Sequence, residues 1–296
     1  MKIAVIGAGK WGTALFHALS QNNDCVISSR TKRDMQNFVE LDEALACEYI
    51  VFCLSSQHTH SWLRQNFKFN NQKILVASKG IQTSTKRFLN EIYEDFLPAE
   101  NLSFLSGPTF AKEVEKQLPC ALVINSINDE ISAKFASFFP KYIKAYTSDD
   151  VVGAEICGAY KNVIAIAGGI CDGLGLGNNA RASLISRGLV EMARFGRKFG
   201  AKDETFLGLS GAGDLFLTAS SVLSRNYRVG IGLAKNESLN KILNELGEVA
   251  EGVDTSYAIR DISKDKGIYT PIANEVSAML DGKDVYESVK ALLEKR

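Results

Sequence analysis

Three glycines at the start of the chain constrain the fold more than any other sequence feature. Residues 3–6 are the apolar run Ile-Ala-Val-Ile, and Gly7, Gly9 and Gly12 follow before a helical pattern over 12–21. In such a strand–turn–helix unit, the first glycine permits a tight turn, the second lets backbone amides approach a pyrophosphate, and the third lets the helix pack closely on the sheet. The helix N-terminus then offers N–H groups and a positive dipole end to phosphate. The pattern predicts nucleotide binding, with a purely structural glycine turn as the alternative.

Apolar runs and helical patterns alternate through the first half of the chain. Several runs are rich in Val and Ile and lack polar alternation, which is typical of strands buried on both faces of a parallel sheet. Beyond residue 148 almost no such run remains, and helical patterns dominate. We therefore predict an N-terminal α/β domain of the Rossmann type, with a doubly wound sheet, over 1–148, and an all-α C-terminal domain for substrate and catalysis over 149–296. The predicted strands cover 2–6, 25–29, 49–54, 73–77, 103–105, 121–124 and 143–146, and one further helix is predicted over 85–96.

Composition narrows the classes of function. Formal net charge is +0, from 34 basic and 34 acidic residues, so we predict no nucleic-acid partner. The most apolar stretch, 156–171, contains Lys161 and Asn162 and is shorter than the about 20 apolar residues of a membrane span, so no span is predicted. The six cysteines form no CxxC pair and no close cluster with histidine, which predicts reduced thiols in a cytoplasmic protein and no metal site.

The end of the second predicted strand bears on the choice between NAD and NADP. NAD enzymes usually place an acid there for the ribose 2′-hydroxyl, whereas an arginine accommodates a 2′-phosphate. Here Ser28 and Ser29 are followed by Arg30, Lys32 and Arg33, and the acid is absent. Because a guanidinium group suits phosphate, this segment favours NADPH without excluding NADH. A solvated basic loop is the alternative.

Lys161 is the one charged residue between 156 and 171, in a predicted helix that is apolar nearly all round. A charge in such a place is unfavourable unless it is paired or used. Desolvation lowers the pKa of a lysine, which makes it a usable proton donor and acceptor near neutral pH. Interconversion of an alcohol and a carbonyl by hydride transfer needs a proton donor and acceptor of this kind. Asn162, the next residue, could position the substrate hydroxyl or Lys161. A lysine that snorkels at the edge of a helix is the alternative.

Other cations fit a small phosphorylated substrate. Arg225 and Arg228 lie three residues apart and would share one helix face, beside the hydroxyl of Ser224. A solvated basic helix start is the alternative. Lys79 ends a predicted strand, where a cation would face the carboxyl edge of the sheet. For this residue the alternative is an ordinary surface lysine at a strand end.

Seven motifs, in their order along the chain, resemble those of the bacterial NAD(P)-dependent glycerol-3-phosphate dehydrogenases. The similarity extends over almost the whole chain and is far more specific than the glycine turn alone. The motifs are GAGKWGTAL at 7–15, ASKGI at 77–81, SGPTFAKEV at 106–114, GAYKNVIAIAGGICDGLGLGNNARASLISRGLVEM at 158–192, GLSGAGDLFLT at 208–218, SRNYRVG at 224–230 and VAEGVDT at 249–255.

The resemblance implies an oxidoreductase that reversibly reduces dihydroxyacetone phosphate to sn-glycerol 3-phosphate, the precursor of phospholipids, and that forms a homodimer. It makes Lys161 the general acid/base. The substrate contacts that it implies are Lys79, Gly107, Thr109, Lys161, Asp214, Ser224, Arg225 and Asn226. Beside the glycine turn, the cofactor contacts that it implies are Lys10, Trp11, Arg30, Lys79, Ala111, Arg225, Val249 and Glu251. We add Arg33 to the cofactor contacts on charge alone.

One segment departs from the family pattern, and two other functions fit part of the sequence. The stretch between the second strand and Tyr49 is shorter than in many members, which bears on how the adenosine half is covered. A related hydroxy-acid reductase would need a carboxylate-binding arginine but not the cluster at 224–226. A non-catalytic NAD(P)-binding redox sensor would explain the glycine turn but not Lys161.

Overall fold

The computed structural model describes residues 2–294, and the chain folds into two compact units. The sheet unit comprises Met1–Lys79 and Arg87–Glu155, and the helical unit comprises Gly80–Lys86 and Ile156–Arg296. The predicted ranges 1–148 and 149–296 stay predictions, and they include Met1, Lys295 and Arg296, which lie outside the described residues. Glu155, the last residue of the sheet unit, accepts a hydrogen bond from the N–H of Leu89 of the same unit at 3.0 Å.

The secondary-structure elements are numbered in chain order. The strands are β1 (Lys2–Ile6), β2 (Asp24–Ser28), β3 (Tyr49–Phe52), β4 (Lys73–Val76), β5 (Ile81–Gln82), β6 (Arg87–Phe88), β7 (Leu102–Ser106), β8 (Cys120–Asn125) and β9 (Ile143–Ser148). The α-helices are α1 (Lys10–Leu19), α2 (Leu41–Leu45), α3 (Thr59–Asn66), α4 (Leu89–Tyr93), α5 (Ala111–Glu115), α6 (Asp129–Ala136), α7 (Val151–Gly173), α8 (Gly177–Arg197), α9 (Asp203–Leu207), α10 (Asp214–Ala219), α11 (Arg225–Ala234), α12 (Leu239–Leu246), α13 (Glu251–Lys266), α14 (Pro271–Leu280) and α15 (Val285–Glu294). A 3₁₀ turn covers Ala99–Asn101 and a π-helical turn covers Leu209–Gly213.

Seven strands of the sheet unit form one sheet in the order β2-β1-β3-β4-β7-β8-β9. The first five of these are parallel to one another, β8 is antiparallel to β7, and β9 is parallel to β8. The Rossmann-type α/β prediction is confirmed, but the parallel orientation predicted from apolar runs is wrong for β8 against β7. An apolar run specifies burial and leaves strand direction open, and the connection over 107–119 contains only the short helix α5.

Two apolar clusters cover the two faces of this sheet. Ile3 and Val5 of β1 join one cluster with side chains of α1 and α6, whereas Ala4 and Ile6 join the other with side chains of α3 and α4. The alternation follows from the two-residue period of a strand. Because both faces are buried, the strands need apolar side chains at consecutive positions, and each fully buried Ile contributes about 1.5–3 kcal/mol to stability.

The helix predicted over 85–96 is shorter in the structure. Lys86 has a φ of +57°, in the left-handed region, and Arg87–Phe88 is extended, so the helix begins only at Leu89. The N–H of Phe88 donates to the carboxylate of Glu91 at 2.8 Å, which fixes this start. The sequence pattern misses the extended residues because their conformation is set at the helix N-terminus and not by periodicity.

The helical unit is built around α7, whose glycines let other helices approach closely. A Cβ on Gly169 would lie 2.0 Å from the carbonyl oxygen of Tyr227, and a Cβ on Gly230 would lie 2.0 Å from that of Ile166. Close crossing of α7 and α11 therefore requires glycine at both positions. Together with the absence of strands longer than two residues among its described residues, this confirms the predicted all-α C-terminal part.

Within residues 2–294, α7 is the one helix long and apolar enough to cross a membrane, judged by length and composition. Of its most apolar 18-residue window, 89% is buried by the rest of the protein. Since a core helix passes the same test, this is weak evidence for a membrane span.

Candidate active site

The three glycines of the turn after β1 have different surroundings. Gly7 has a φ of +114°, and a Cβ there would lie 2.5 Å from the carbonyl oxygen of Cys53. A Cβ on Gly12 would lie 1.8 Å from the carbonyl oxygen of Gly7. By contrast, a Cβ on Gly9 would meet nothing within 4 Å. Gly7 and Gly12 are therefore required by close packing, and Gly9 leaves open space beside the turn.

The start of α1 suits a pyrophosphate. Gly9 is the residue before α1, the first turn of the helix contains no acidic side chain, and the glycine leaves the approach to the backbone open. The first turn of a helix directs N–H groups and the positive end of the dipole outward, which favours anions. The residues present thus fit the phosphates of a dinucleotide, with Lys10 at the first helical position.

Side chains tie the start of α1 and the loops after β4 and β7 to one another. The indole N–H of Trp11 donates to the carbonyl oxygen of Ala77 at 2.9 Å. The ammonium group of Lys79 donates to the carbonyl oxygen of Gly107 at 3.3 Å, and the hydroxyl of Thr109 lies 3.4 Å from the same oxygen. The structure therefore brings these predicted residues to one edge of the sheet, where Ala111 begins α5.

The basic segment after β2 begins beside the glycine turn. The N–H of Gly7 donates to the carbonyl oxygen of Ser28 at 2.8 Å, so Arg30 lies two residues beyond that contact. Both Arg30 and Arg33 are exposed. The chain then returns along β2, where the N–H of Val39 donates to the carbonyl oxygen of Ile27 at 2.9 Å. Within residues 2–294, no hydrogen bond or ion pair of Arg33 ties it to the glycine turn.

In the helical unit, Lys161 is buried and paired. Its Nζ lies 2.5 Å from Oδ1 of Asp214 and 3.2 Å from the hydroxyl oxygen of Thr218. Lys161 is 8% exposed and Asp214 is 1% exposed. The hydroxyl of Thr218 also donates to Oδ1 of Asp214 at 3.3 Å, which closes a three-membered polar cluster. An ammonium group and a carboxylate at this distance form a charge-assisted hydrogen bond.

This pairing corrects the picture of Lys161 as an isolated charge that is desolvated by an apolar helix. The sequence hides the partner because Asp214 belongs to a different helix, 53 residues along the chain. Thr218 was missed as a partner of Lys161. Its signal in the sequence is the spacing of four residues after Asp214, which places both side chains on one face of α10.

A π-helical turn places Asp214 at the start of α10. The turn, Leu209–Gly213, ends directly before Asp214. A Cβ on Gly211 would lie 2.2 Å from the carbonyl oxygen of Phe206, so the small residues of this motif are needed for the turn to close on α9. Single π-helical turns occur frequently at functional sites, which agrees with an acid delivered to a buried lysine.

Three helices of this unit converge near Asn226. Its Oδ1 accepts a hydrogen bond from the N–H of Gly252 at 2.9 Å. A Cβ on Gly252 would lie 2.7 Å from the carbonyl oxygen of Asn162, so α7, α11 and α13 meet closely here. Ser224 caps α11 by accepting a hydrogen bond from the N–H of Tyr227 at 3.3 Å. The predicted residues Ser224 and Asn226 therefore both have structural partners.

The remaining predicted residues of the helical unit are more exposed. Arg225 begins α11 with a side chain that is 43% exposed, and its Nη1 lies 3.6 Å from Oε2 of Glu248. Val249 is 59% exposed, and Glu251 begins α13. The guanidinium group of Arg225 is thus accessible to an anion from solution. Such an anion would compete with the carboxylate of Glu248 for this group.

Comparison with known proteins agrees with both units. Residues 30–132 match the family model described as NAD-dependent glycerol-3-phosphate dehydrogenase N-terminus, and residues 150–291 match the model described as its C-terminus. The chain belongs to the glycerol-3-phosphate dehydrogenase family. This confirms the family predicted from the seven motifs.

Full-length relatives of the family are highly similar. A glycerol-3-phosphate dehydrogenase [NAD(P)+] of Campylobacter jejuni is 64% identical, with 99% of each chain covered. One of Sulfurimonas denitrificans, of the same name, is 62% identical, again with 99% of each chain covered. The crystal structure of glycerol-3-phosphate dehydrogenase from Coxiella burnetii is 30% identical, has a TM-score of 0.91 and covers 99% of each chain.

Glu155 and Glu191 are buried glutamates that lie outside the residues predicted for this dehydrogenase family site. Burial raises the pKa of Glu155 to about 8, although the N–H groups of Leu89 and Asn90 oppose that rise. Burial also raises the pKa of Glu191, which accepts hydrogen bonds from the hydroxyl of Tyr160 at 2.8 Å and from the first N–H groups of α14. Neither acid has these partners nearby in sequence, so no sequence pattern points to them.

Among residues 2–294, His, Cys, Asp and Glu side chains form no group of three or more that could hold a metal ion.

Proposed function

We propose that this chain reversibly reduces dihydroxyacetone phosphate to sn-glycerol 3-phosphate with NADPH or NADH, and that Lys161 is its general acid/base. The observation that carries the proposal is the buried cluster of Lys161, Asp214 and Thr218, with Nζ 2.5 Å from the carboxylate. Membership of the glycerol-3-phosphate dehydrogenase family supports the substrate class. A structural lysine would not need to be buried beside a carboxylate, since such pairs are often no more stable than apolar packing.

The proton step belongs to Lys161. When bound, NAD(P)H supplies the hydride that the carbonyl carbon of the substrate accepts. In reduction, an N–H bond of the Lys161 ammonium group breaks and an O–H bond forms at the carbonyl oxygen. In oxidation, the neutral amine takes the proton of the hydroxyl. Asp214 and Thr218 hold Nζ in one direction and stabilise the ammonium form that the reduction consumes.

The substrate phosphate is assigned to the start of α11. Arg225 offers a guanidinium group that suits phosphate oxygens, and Asn226 and Ser224 flank it with polar groups. The remaining contacts proposed for the substrate are Lys79, Gly107, Thr109 and Asp214. Of these, Lys79 and Gly107 are already joined by a hydrogen bond of 3.3 Å.

The residues that would hold the dinucleotide are those of the glycine turn and its neighbours. The open space beside Gly9 supports the pyrophosphate position. The exposed Arg30 and Arg33, with no acid at the end of β2, support NADPH over NADH. The other proposed contacts are Gly7, Lys10, Trp11, Gly12, Lys79, Ala111, Arg225, Val249 and Glu251.

We place the enzyme in the cytoplasm as a homodimer that supplies sn-glycerol 3-phosphate for phospholipid synthesis, with no nucleic-acid partner. The formal net charge of +0 supports the absence of a nucleic-acid partner, and the six free cysteines support the cytoplasm. Light scattering on the purified chain measures its mass in solution. A mass equal to one chain would contradict the homodimer.

The test of the reaction compares substrates in an NADPH-oxidation assay. We expect turnover with dihydroxyacetone phosphate, formation of sn-glycerol 3-phosphate, and little turnover with small 2-keto acids. Turnover confined to keto acids would support a hydroxy-acid reductase instead. Dinucleotide binding without turnover of either dihydroxyacetone phosphate or keto acids would support a redox sensor. Each of these two results would contradict the proposal.

A further inference from the structure

A buried tyrosine lies one residue beyond the proposed phosphate site. The hydroxyl of Tyr227 donates to Oδ2 of Asp172 at 2.5 Å, and Nη1 of Arg181 lies 2.8 Å from the same oxygen. Tyr227 is 6% exposed, and the side chain of Asp172 is 19% exposed. The proposed reaction gives none of these residues a role. They join α11 to the end of α7 and the start of α8.

The first turn of α11 is fixed at its backbone as well. The N–H of Tyr227 donates to the hydroxyl of Ser224 at 3.3 Å, and its carbonyl oxygen lies where a Cβ on Gly169 would be only 2.0 Å away. The backbone of Tyr227 is therefore pressed against α7. The Tyr227 hydroxyl adds a side-chain contact to Asp172 at the end of α7, which opposes rotation of α11 about its own axis.

Rotation of α11 would move the proposed phosphate ligands. Arg225 and Asn226 directly precede Tyr227, and with 3.6 residues per turn all three lie on the same turn of the helix. Any rotation that shifts the tyrosine ring shifts the guanidinium and amide groups with it. The N–H of Gly252 donates to the side chain of Asn226 at 2.9 Å and helps to fix it. The side chain of Arg225 is half-exposed, so the placement of its guanidinium group depends more on the position of the α11 backbone.

The tyrosine hydroxyl stays a donor throughout the neutral range. Burial, reinforced by the hydrogen bond to Asp172, raises the pKa of Tyr227 to about 12. The hydroxyl of Tyr227 therefore stays protonated at neutral pH and able to donate to the carboxylate that also pairs with Arg181.

We propose that Tyr227 and Asp172 are positioning residues for the substrate phosphate, acting by fixing the rotation of α11 and hence the placement of Arg225 and Asn226. The inference rests on the proposed function. It predicts that the loss of the Tyr227–Asp172 hydrogen bond weakens recognition of phosphate and spares the chemical step at Lys161.

The test uses Tyr227→Phe, which keeps the ring and removes the hydroxyl. We expect KM for dihydroxyacetone phosphate to rise about fivefold to tenfold, the effect of losing one hydrogen bond, with kcat unchanged. The value of kcat/KM for dihydroxyacetone, which lacks the phosphate, should not change. The effect of Asp172→Ala, which removes the acceptor, should be similar, and the double variant should be no worse than either single one because both substitutions remove the same hydrogen bond.

Tyr257→Phe is the matched control. Tyr257 lies on α13 of the same unit, and its hydroxyl also bonds to an aspartate, Asp281. We expect this control to leave both substrates unaffected. The positioning role is wrong if Tyr227→Phe leaves KM for dihydroxyacetone phosphate unchanged, or if it lowers kcat/KM equally for both substrates, as general loosening of the fold would.

Calorimetric titration with inorganic phosphate separates this inference from the proposed function. If the wild type fails to reduce dihydroxyacetone phosphate but binds phosphate more tightly than Tyr227→Phe, the reaction is wrong and the positioning role stands. Equal phosphate affinity in the two proteins, or no binding by either, overturns the positioning role.

Discussion

The glycine turn of the sheet unit and the Lys161 cluster of the helical unit are built by opposite means. In the turn, Gly7 and Gly12 are fixed by backbone atoms, so the arrangement is steric and local. In the cluster, Lys161 and Asp214 meet across 53 residues, and the arrangement is electrostatic and long-range. Substitutions in the turn should therefore act through backbone geometry and cofactor affinity. Those in the cluster should act through charge and the rate of turnover.

The largest effect is expected from Lys161→Ala. Loss of a general acid/base lowers kcat by about 10²- to 10⁴-fold, while dinucleotide affinity, measured by fluorescence titration, should persist because the glycine turn is untouched. Lys290→Ala, at a side chain that is 77% exposed, is the control. Because Lys161→Ala takes the ammonium partner from the buried carboxylate of Asp214, thermal unfolding of this variant and of Lys161→Ala/Asp214→Ala checks that the loss of activity is not unfolding. Near-full activity of Lys161→Ala would break the contrast between the two sites.

The second prediction concerns Glu155, a buried acid of the sheet unit that, unlike Asp214 of the helical unit, has no ammonium group among residues 2–294 as its hydrogen-bond partner. Asp214 faces an ammonium group, whereas burial raises the pKa of Glu155 from 4.5 to about 8 even though backbone N–H groups oppose the rise. The folded protein then holds this proton more tightly than the unfolded chain. The stabilisation is complete below pH 4.5 and is lost as the pH rises through about 8.

Urea unfolding across this range measures the effect. Glu155 should lower the free energy of unfolding by up to about 1.4 kcal/mol per pH unit between the two pKa values. Glu155→Gln, which cannot titrate, should remove that part of the slope. Parallel profiles for the wild type and Glu155→Gln would show that burial does not perturb this carboxyl group.

The same contrast explains what sequence reasoning could and could not reach. Gly7, Gly9 and Gly12 were readable because each role depends on neighbours within a few residues, and the sheet strands because Val- and Ile-rich runs report burial directly. The direction of β8, the extended residues before α4 and the carboxylate partner of Lys161 depend on contacts that periodicity does not encode. The pattern therefore found the lysine but not the pair that holds it.

Two alanine substitutions in the turn distinguish a glycine that is needed for packing from a glycine that is needed for contact with the dinucleotide. Gly12→Ala places a Cβ 1.8 Å from the carbonyl oxygen of Gly7, so the backbone must move, at a cost of about 1–3 kcal/mol. Gly9→Ala meets nothing within 4 Å and should leave the melting temperature unchanged while it raises KM for the dinucleotide. Thermal unfolding and cofactor kinetics of both variants measure this. Equal destabilisation by both would mean that Gly9, too, is needed for packing.

The smallest effect is expected at Arg30, because an exposed ion pair contributes at most about 1 kcal/mol. Arg30→Ala should lower the ratio of kcat/KM for NADPH to that for NADH about fivefold, since only NADPH carries the 2′-phosphate. Arg33→Ala should have a weaker effect because Arg33 is farther along the chain from the contact between Gly7 and Ser28. Lys32→Ala, an exposed cation of the same segment, is the control. If the ratio is the same in all three variants as in the wild type, the basic segment is a solvated loop. Binding of the dinucleotide would then rest on the glycine turn without this segment.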